Sequence, residues 1–416
     1  MFKLQRIPLR IELLLNELQL FFNDYQWLHF KSILLALLVT PYKATLNGMV
    51  KVLAFGSHRS KHCEFLNDCP TILKKVLKFY SILLLNLLRK SNEPIYFIID
   101  DTTNKKRGKH ILAAFSFFDH TTKQYIWGQQ LVCAIIEYRG IVIPFSIEIY
   151  IPQEEARVKD FTFKKKTMIA SEMLKEFEVD ENQPSEHCPK VFVVADTYYA
   201  SPLIMELCRQ RQYSFVSMLK TNRVLIINKK QINIDCYVKR HFRRVDKKRV
   251  IKIGSKKYQI HSEKVVLKSG GAVKIVCTRG LSHCTVKTLF TTNTALPAES
   301  IITAYSKRWS IEVFFKMSKQ YLGLKAYQNV NLTAIQSAVR LSLISYNLLT
   351  HVFIEEKRAQ GKRITEKNLA QFSVLTTRDR LRQLVMIDSM DYCLELNINK
   401  SKNKVIKEIK NMLLAA

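Results

Sequence analysis

The amino-acid sequence predicts an α/β protein with helical regions at both ends. Two short apolar runs, Ile95–Ile99 and Val191–Ala195, have the composition of buried central strands, and aspartate directly follows each. Further strand-like segments follow them, whereas residues 1–90 and 331–416 carry apolar residues at helical spacing. Because sites in α/β sheets form where strands end, the two aspartates predict a functional site at one edge of the sheet.

The charge of the chain predicts a polyanionic partner. Of 416 residues, 66 are lysine or arginine and 35 are aspartate or glutamate, which gives a formal net charge of +31. A membrane surface is the competing partner, but charged residues interrupt the most apolar stretch, Leu131–Ile151. The segment Met1–Arg6 lacks the pattern of a signal peptide. We therefore expect a cytoplasmic protein that binds nucleic acid and has no membrane partner.

The cysteines predict reduced thiols, because there are nine of them without regular spacing. His58, His62, Cys63 and Cys69 lie close together in sequence, but their spacing matches no common zinc pattern. Zinc is therefore the minor interpretation of this cluster.

Both ends of the chain are expected to be helical. In residues 1–90, helical periodicity is clearest in Ile11–Phe22, Phe30–Leu38 and Ile72–Leu88. Basic residues lie between the apolar ones, so this region is a candidate DNA-end-binding domain. In residues 331–416, the predicted helices are Ile335–Phe353, Glu366–Gln371 and Arg378–Val385, and the sequence assigns this region no role.

The central part divides into a core and an insertion. The core, residues 91–218 and 291–330, adds three strands and two helices: Ile111–Phe118, Gln130–Tyr138, Ile141–Ile151, Thr167–Phe177 and Pro202–Arg211. Residues 219–290 are expected to form a β-rich, basic insertion with the strands Arg223–Ile227, Val250–Ile253, Tyr258–His261, Lys264–Leu267 and Val273–Cys277. Its basic run includes Arg243, Arg244, Lys247 and Lys248. This run is either a solvated hairpin tip or an arm that lies along DNA.

A polar stripe on the segment after the insertion is the strongest functional signal. Pro297 and Gly323 are placed as helix start and stop signals, so we expect one helix between them. At 100° per residue, one face of this otherwise apolar helix carries Tyr305, Arg308, Glu312 and Lys319. An Arg308–Glu312 pair on a solvated face is the alternative interpretation.

Three carboxylates suggest the chemistry. Two strand-end aspartates and Glu312 supply hard oxygen donors, which suit Mg²⁺ or Mn²⁺. Phosphodiester chemistry uses two such ions about 3.5–4 Å apart. Together with the cationic surplus, the carboxylates predict phosphoryl transfer on DNA.

The sequence resembles the DDE transposases of bacterial insertion sequences, specifically the branch marked by Tyr-x2-Arg-x3-Glu-x6-Lys. Tyr305, Arg308, Glu312 and Lys319 reproduce that spacing. Asp101-Thr-Thr resembles the first catalytic block of the family and Ala195-Asp196-Thr the second. The resemblance covers roughly residues 30 to 350.

The resemblance implies a ribonuclease H-like (retroviral integrase-type) catalytic core with a β-rich insertion. It also implies cut-and-paste transposition by a homodimer bound to double-stranded DNA, at terminal inverted repeats and target DNA, in the bacterial nucleoid. Two Mg²⁺ or Mn²⁺ ions would be held by Asp101, Asp196 and Glu312, while Tyr305, Arg308 and Lys319 would contact DNA.

Two points stay open. Asp100 and Asp101 are adjacent and point to opposite faces of a strand, so only one can be the first ligand. We prefer Asp101 for its closer match to the family block and keep Asp100 as the alternative. The chain could also be a catalytically silent or co-opted DNA-binding protein, or a nuclease with the same core that does not transpose.

Overall fold

The computed structural model describes residues 3–54, 58–89, 93–119, 122–179, 190–227, 229–242, 249–280, 285–362 and 364–396. Its helices are α1 (Leu9–Leu15), α2 (Asp24–Val39), α3 (Leu46–Val50), α4 (Arg59–Asp68), α5 (Pro70–Leu88), α6 (Gln153–Val158), α7 (Lys166–Lys175), α8 (Pro202–Gln210), α9 (Ile234–Phe242), α10 (Ala298–Ser306), α11 (Trp309–Tyr321), α12 (Leu332–Ala359), α13 (Glu366–Leu369) and α14 (Val374–Leu396). Its strands are β1 (Ile95–Lys105), β2 (Phe115–Asp119), β3 (Gln124–Tyr138), β4 (Ile141–Tyr150), β5 (Val191–Ala195), β6 (Ser214–Met218), β7 (Val224–Ile227), β8 (Lys230–Asn233), β9 (Arg249–Ile253), β10 (Lys256–Leu267), β11 (Gly271–Gly280) and β12 (Lys287–Thr291). The protein is therefore mixed α/β with helical flanks, as the sequence predicts.

The strands form one mixed sheet. Its main path is β2-β3-β1-β5-β6-β12-β11-β10-β7-β8, with β4 paired to β3 and β9 paired to β10. At its centre, β1 and β5 are parallel, as are β5 and β6, whereas β1 and β3 are antiparallel. Ile95–Ile99 and Val191–Ala195 are buried throughout, which explains why both are apolar without alternation.

The insertion extends the central sheet. Since β12 pairs with β6, the chain leaves the core after β6 and returns beside it. The two strands predicted at Tyr258–His261 and Lys264–Leu267 are one strand, β10, because β11 pairs with it continuously from Tyr258 to Leu267. Helix α9 lies where only strands are expected from the sequence, and its Ile234 and Tyr237 lie one turn apart and are buried.

β1 is longer than the sequence predicts. It continues through Asp100 and Asp101 to Lys105 because β3 pairs with it over that length. Its parallel partner β5 stops at Ala195. The two adjacent aspartates therefore lie inside β1, at the level where β5 ends. The strand predicted to start at Ile111 starts only at Phe115.

The segment predicted as one helix from Ala298 to Gly323 is two helices. The backbone N–H groups of Lys307 and Arg308 bond to carbonyls three residues earlier, so the turn between α10 and α11 is tightened. On α11, Phe314 is buried while Val313 faces solvent, so one side of the helix is exposed. α11 ends as predicted at Gly323, whose φ of 73° favours glycine.

Helix α12 is the centre of the helical layer. It packs on α5, β4, α4 and α2. It is long and apolar enough to cross a membrane, but 94% of its apolar window is buried inside the protein. Among the described residues of α12, Arg340 is the one deeply buried cation. Its side chain donates to Glu148 on β4 at 2.8 Å and to the Pro70 carbonyl at 2.9 Å.

Replacement of Arg340 should test this layer. Arg340→Met removes the cation from a buried pair and leaves the Glu148 carboxylate with Lys74 alone, so we expect a loss of about 2–4 kcal/mol in the free energy of unfolding. Arg380→Met, which removes an exposed pair with Glu356, should lose less than about 1 kcal/mol. Urea unfolding measures both, and equal losses would contradict the structural role of Arg340.

Candidate active site

The register of the two central parallel strands positions the first two acids. Ile99 pairs with Ala195, so the next residues, Asp100 and Asp196, are neighbours across the strands. Side chains at matched positions of adjacent strands point to the same face. Asp100 and Asp196 therefore share one face of the sheet, and Asp101 lies on the other.

Asp100 is a buried carboxylate next to other negative charges. Burial raises its pKa to about 7, and the charges of Asp101 and Asp196 act in the same direction. The backbone N–H of Asp101, which donates to Asp100 Oδ1 at 2.8 Å, and the Arg308 guanidinium lower the pKa. Strong desolvation beside specific charges is characteristic of functional carboxylates.

Arg308 connects this face of the sheet to helix α11. Its Nη1 donates to Asp100 Oδ2 at 2.9 Å, and its Nη2 forms an ion pair with Glu312 one turn along. The same guanidinium thus bridges the acid on β1 and the acid on α11. The i,i+4 pair expected from the sequence exists, but it faces the sheet and includes a third partner.

The other two members of the polar stripe lie on the same side. Tyr305 is partly buried, and its pKa is raised first by that burial, with Asp196 and Asp100 adding to the rise and Arg308 opposing it. Lys319 Nζ donates to the Thr103 carbonyl of β1 at 2.7 Å. Burial, followed by the nearby charge of Lys325, lowers the pKa of Lys319 to about 8. The stripe therefore faces β1 along its length.

Asp101 has a separate set of partners on the opposite face. Lys166, the first residue of α7, donates to Asp101 Oδ2 at 2.6 Å, and Tyr199 donates to Oδ1 at 3.1 Å. Lys166 is largely buried and also lies near the ring of Tyr198. Lys166 and Tyr199 are not among the site residues expected from the sequence, since only folding brings them to β1. Lys166 supplies a compensating positive charge for Asp101, and Tyr199 adds a hydrogen bond from a neutral group.

The acids on the Asp100 face have the type of donor atom that a hard divalent cation prefers. Asp100, Asp196 and Glu312 offer only carboxylate oxygens, the donors that Mg²⁺ and Mn²⁺ prefer. Burial first, with the charges of Asp101 and Asp196, raises the pKa of Asp100, and a bound cation would oppose this rise. As placed, the Arg308 guanidinium supplies the positive charge between Asp100 and Glu312. In the described part of the chain, no three His, Cys, Asp or Glu side chains are close enough to hold a metal ion in this arrangement.

The remaining predicted site residues cannot be placed. Arg243, Arg244, Lys247 and Lys248, the basic residues proposed to lie along DNA, are outside the described residues. The roles of Tyr305, Arg308 and Lys319 in DNA binding stay predictions.

The pH dependence of stability should identify Asp100 as the desolvated acid. Its folded pKa is above the ordinary value, so the folded state binds the extra proton and stability falls as pH rises from about 4 to about 7. Asp100→Asn, measured by urea unfolding in the presence of a chelator, should flatten this fall and raise the free energy of unfolding above pH 8 by on the order of 2 kcal/mol. Asp101→Asn should instead lower it, because Lys166 loses its partner. A variant of Asp100 that is less stable than the parent at pH 8 would contradict this assignment.

Comparison with known proteins identifies the family of the chain. A sequence model of a protein family described as DDE superfamily endonuclease matches residues 18–258, more than half of the chain. The match includes Asp100, Asp101 and Asp196 and stops before Glu312. No curated protein matches the chain. The family implies a ribonuclease H-like fold, and the parallel pair β1–β5 beside the antiparallel pair β1–β3 is compatible with it. The chain therefore belongs to the DDE superfamily endonucleases.

Proposed function

We propose that the protein is a metal-dependent DNA transposase of an insertion sequence. In this proposal it cuts DNA at the ends of its element and joins the released 3′ ends to target DNA. The observation that carries the proposal is that Asp100 and Asp196 share one face of the sheet, where Arg308 pairs with both Asp100 and Glu312. Membership in a family of DNA-cleaving enzymes and the net charge of +31 support DNA as the substrate.

Asp100, Asp196 and Glu312 would hold Mg²⁺ or Mn²⁺, with two ions as the working hypothesis. Bound metal supplies an activated nucleophile and stabilises the leaving oxygen in phosphodiester chemistry. We favour Asp100 over Asp101 because Asp100 shares a face with Asp196 and with the guanidinium that contacts Glu312, whereas Asp101 pairs with Lys166 on the opposite face. This choice differs from the family-based preference for Asp101.

Cationic side chains beside the carboxylates would position the scissile phosphate. Arg308 can present two N–H groups to phosphate oxygens, and Lys319 adds a second positive charge further along α11. Both would neutralise the charge that develops on the phosphate during reaction. The spacing of Tyr305, Arg308, Glu312 and Lys319 supports the insertion-sequence branch in particular. A homodimer that joins two element ends is part of the same proposal.

The central test is an assay on DNA that carries the sequences flanking the reading frame. With Mg²⁺, the parent protein should cut at both element ends and join them to a target plasmid. Glu312→Gln should still bind this DNA but should cut it at least about 10³-fold more slowly, because a charged oxygen donor is lost. Cutting without joining would favour a nuclease, and binding alone would favour a catalytically silent protein. Unchanged cutting by Glu312→Gln would place the chemistry elsewhere.

The two adjacent aspartates should differ sharply in the same assay. Asp100→Asn should reduce cutting as strongly as Glu312→Gln does, since both would hold the metal. Asp101→Asn should keep cutting within about tenfold of the parent once near-ultraviolet circular dichroism confirms that it is folded. The reverse order would restore Asp101 as the first ligand.

A further inference from the structure

A basic groove lies beside the candidate active site, and the carboxylate chemistry does not account for it. It has a volume of about 1130 Å³. Four segments that are distant in sequence form its walls: residues 40–44, residues 105–108, residues 319–330 and the α14 residues Arg378 and Arg382. We call this feature the basic groove. It joins the helical N-terminal region, the sheet and the C-terminal region.

The charges lining the basic groove have one sign. Among the described residues that line it, eight are lysine or arginine and none is aspartate or glutamate. Every wall contributes at least one cation, as shown by Lys43, Arg107, Lys325 and Arg382. A cleft lined by one sign of charge focuses the electrostatic field and attracts the opposite charge.

The bonds that hold the walls together are made mainly to neutral groups, and the exception is Arg382, which also pairs with Asp379 at 3.8 Å. Arg378 donates to the Leu38 carbonyl at 2.8 Å, and Arg382 donates to the Thr40 carbonyl at 2.6 Å, so α14 is fixed against the end of α2. Lys106 donates to the Tyr327 carbonyl at 2.8 Å and lies 3.3 Å from the centre of the Tyr327 ring. These acceptors are neutral groups. The groove is therefore a built surface whose positive charge is available to a ligand.

Two lysines in the groove are buried in a way that disfavours their charged form, and an anionic ligand would offset this effect. Burial lowers the pKa of Lys106 to about 7, and burial with the charge of Lys325 lowers the pKa of Lys319 to about 8. Of the acids in the described chain, Asp119 faces Lys319 and opposes its shift. Lys105 and Arg107 also line the groove, but they are positively charged and therefore do not compensate the charge of Lys106 or Lys319. A bound anion would favour the charged form of both.

We propose that the basic groove binds the phosphodiester backbone of the DNA on which the active site acts, with Lys319 common to both sites. Lys319 lines the groove while it donates to Thr103, which follows Asp100 and Asp101 on β1. This continuity favours DNA over an acidic protein as the occupant. The inference rests on the proposed function in that the groove and the carboxylates contact one DNA molecule. It also gives α14 a role, because its arginines form one wall.

The first test compares salt dependence in two matched double variants. In Arg107→Gln/Lys325→Gln, two exposed cations are lost from the groove. In the control, Lys175→Gln/Lys190→Gln, two exposed lysines are lost from elsewhere: Lys190 lies at the end of β5 opposite to Asp196, and Lys175 lies at the end of α7 opposite to Lys166. Affinity for a 30-base-pair duplex is measured between 50 and 300 mM salt.

The groove variant should bind at least about tenfold more weakly at 150 mM salt, and its log–log salt slope should be shallower by about 1.8, since each phosphate contact contributes about 0.9. The control should bind like the parent. Equal behaviour of the two variants would overturn the groove proposal even if the parent cuts DNA and Glu312→Gln does not. If the parent does not bind the duplex, or binds it with an affinity that does not depend on salt, the groove proposal and the proposed function are overturned together.

The second test measures proton uptake on binding. Since DNA favours protonated Lys106 and Lys319, affinity of the parent should fall as pH rises from 6.5 to 9, by about tenfold or more. Lys106→Met should reduce this dependence near pH 7. Lys105→Met, which removes an exposed neighbour, should weaken binding but keep the dependence. An affinity of the parent that does not change with pH would overturn the involvement of these two buried lysines and, with them, the proposed path of the backbone.

Discussion

The parallel pairing of β1 with β5 is the constraint on which the candidate site depends. It sets Asp100 beside Asp196 and turns Asp101 away from both. A shift of one residue in this register would reverse the faces, because side chains alternate along a strand. The register is held by two fully buried apolar runs, so the stability of the core and the position of the acids have the same cause. Helix α11 then brings Glu312 to the face that the register has selected.

Electrostatic imbalance connects the site with the groove beside it. On one side, burial, with the charges of Asp101 and Asp196, raises the pKa of Asp100, and the Arg308 guanidinium lies between β1 and α11. On the other side, buried lysines with neutral partners have lowered pKa values. Each arrangement is unfavourable alone and is relieved by a ligand of opposite charge. A metal ion for the acids and a phosphate backbone for the cations satisfy both, which is why the two features support one function.

The sequence predicts the parts of this structure that depend on local pattern. The mixed α/β class and the central strands follow from the length of apolar runs, and the common side of Glu312 and Lys319 follows from the helical period of α11. The choice between Asp100 and Asp101 does not, because alternation shows that they differ in face but not which face α11 covers. The extension of β1 to Lys105 depends on pairing with β3, and the tight turn at Lys307 and Arg308 divides a segment that the sequence predicts as one helix.

Features assembled from distant segments were beyond sequence reasoning. Lys166 reaches Asp101 across 65 positions, and Tyr199 reaches it across 98. The groove combines the loop after α2 with α14, more than three hundred residues apart. Neither pairing leaves a periodic or spaced signal, since each depends on how the helical regions pack on the sheet.

The position of the metal ion tests the central claim most directly. Crystals of the protein soaked in Mn²⁺ would show the ion in an anomalous difference map, because manganese scatters anomalously and carbon, nitrogen and oxygen scarcely do. The account predicts a peak in contact with carboxylate oxygens of Asp100 and Asp196, with Glu312 as a further ligand and Arg308 displaced from Asp100. A peak bound by Asp101 on the opposite face, with Arg308 still on Asp100, would contradict it.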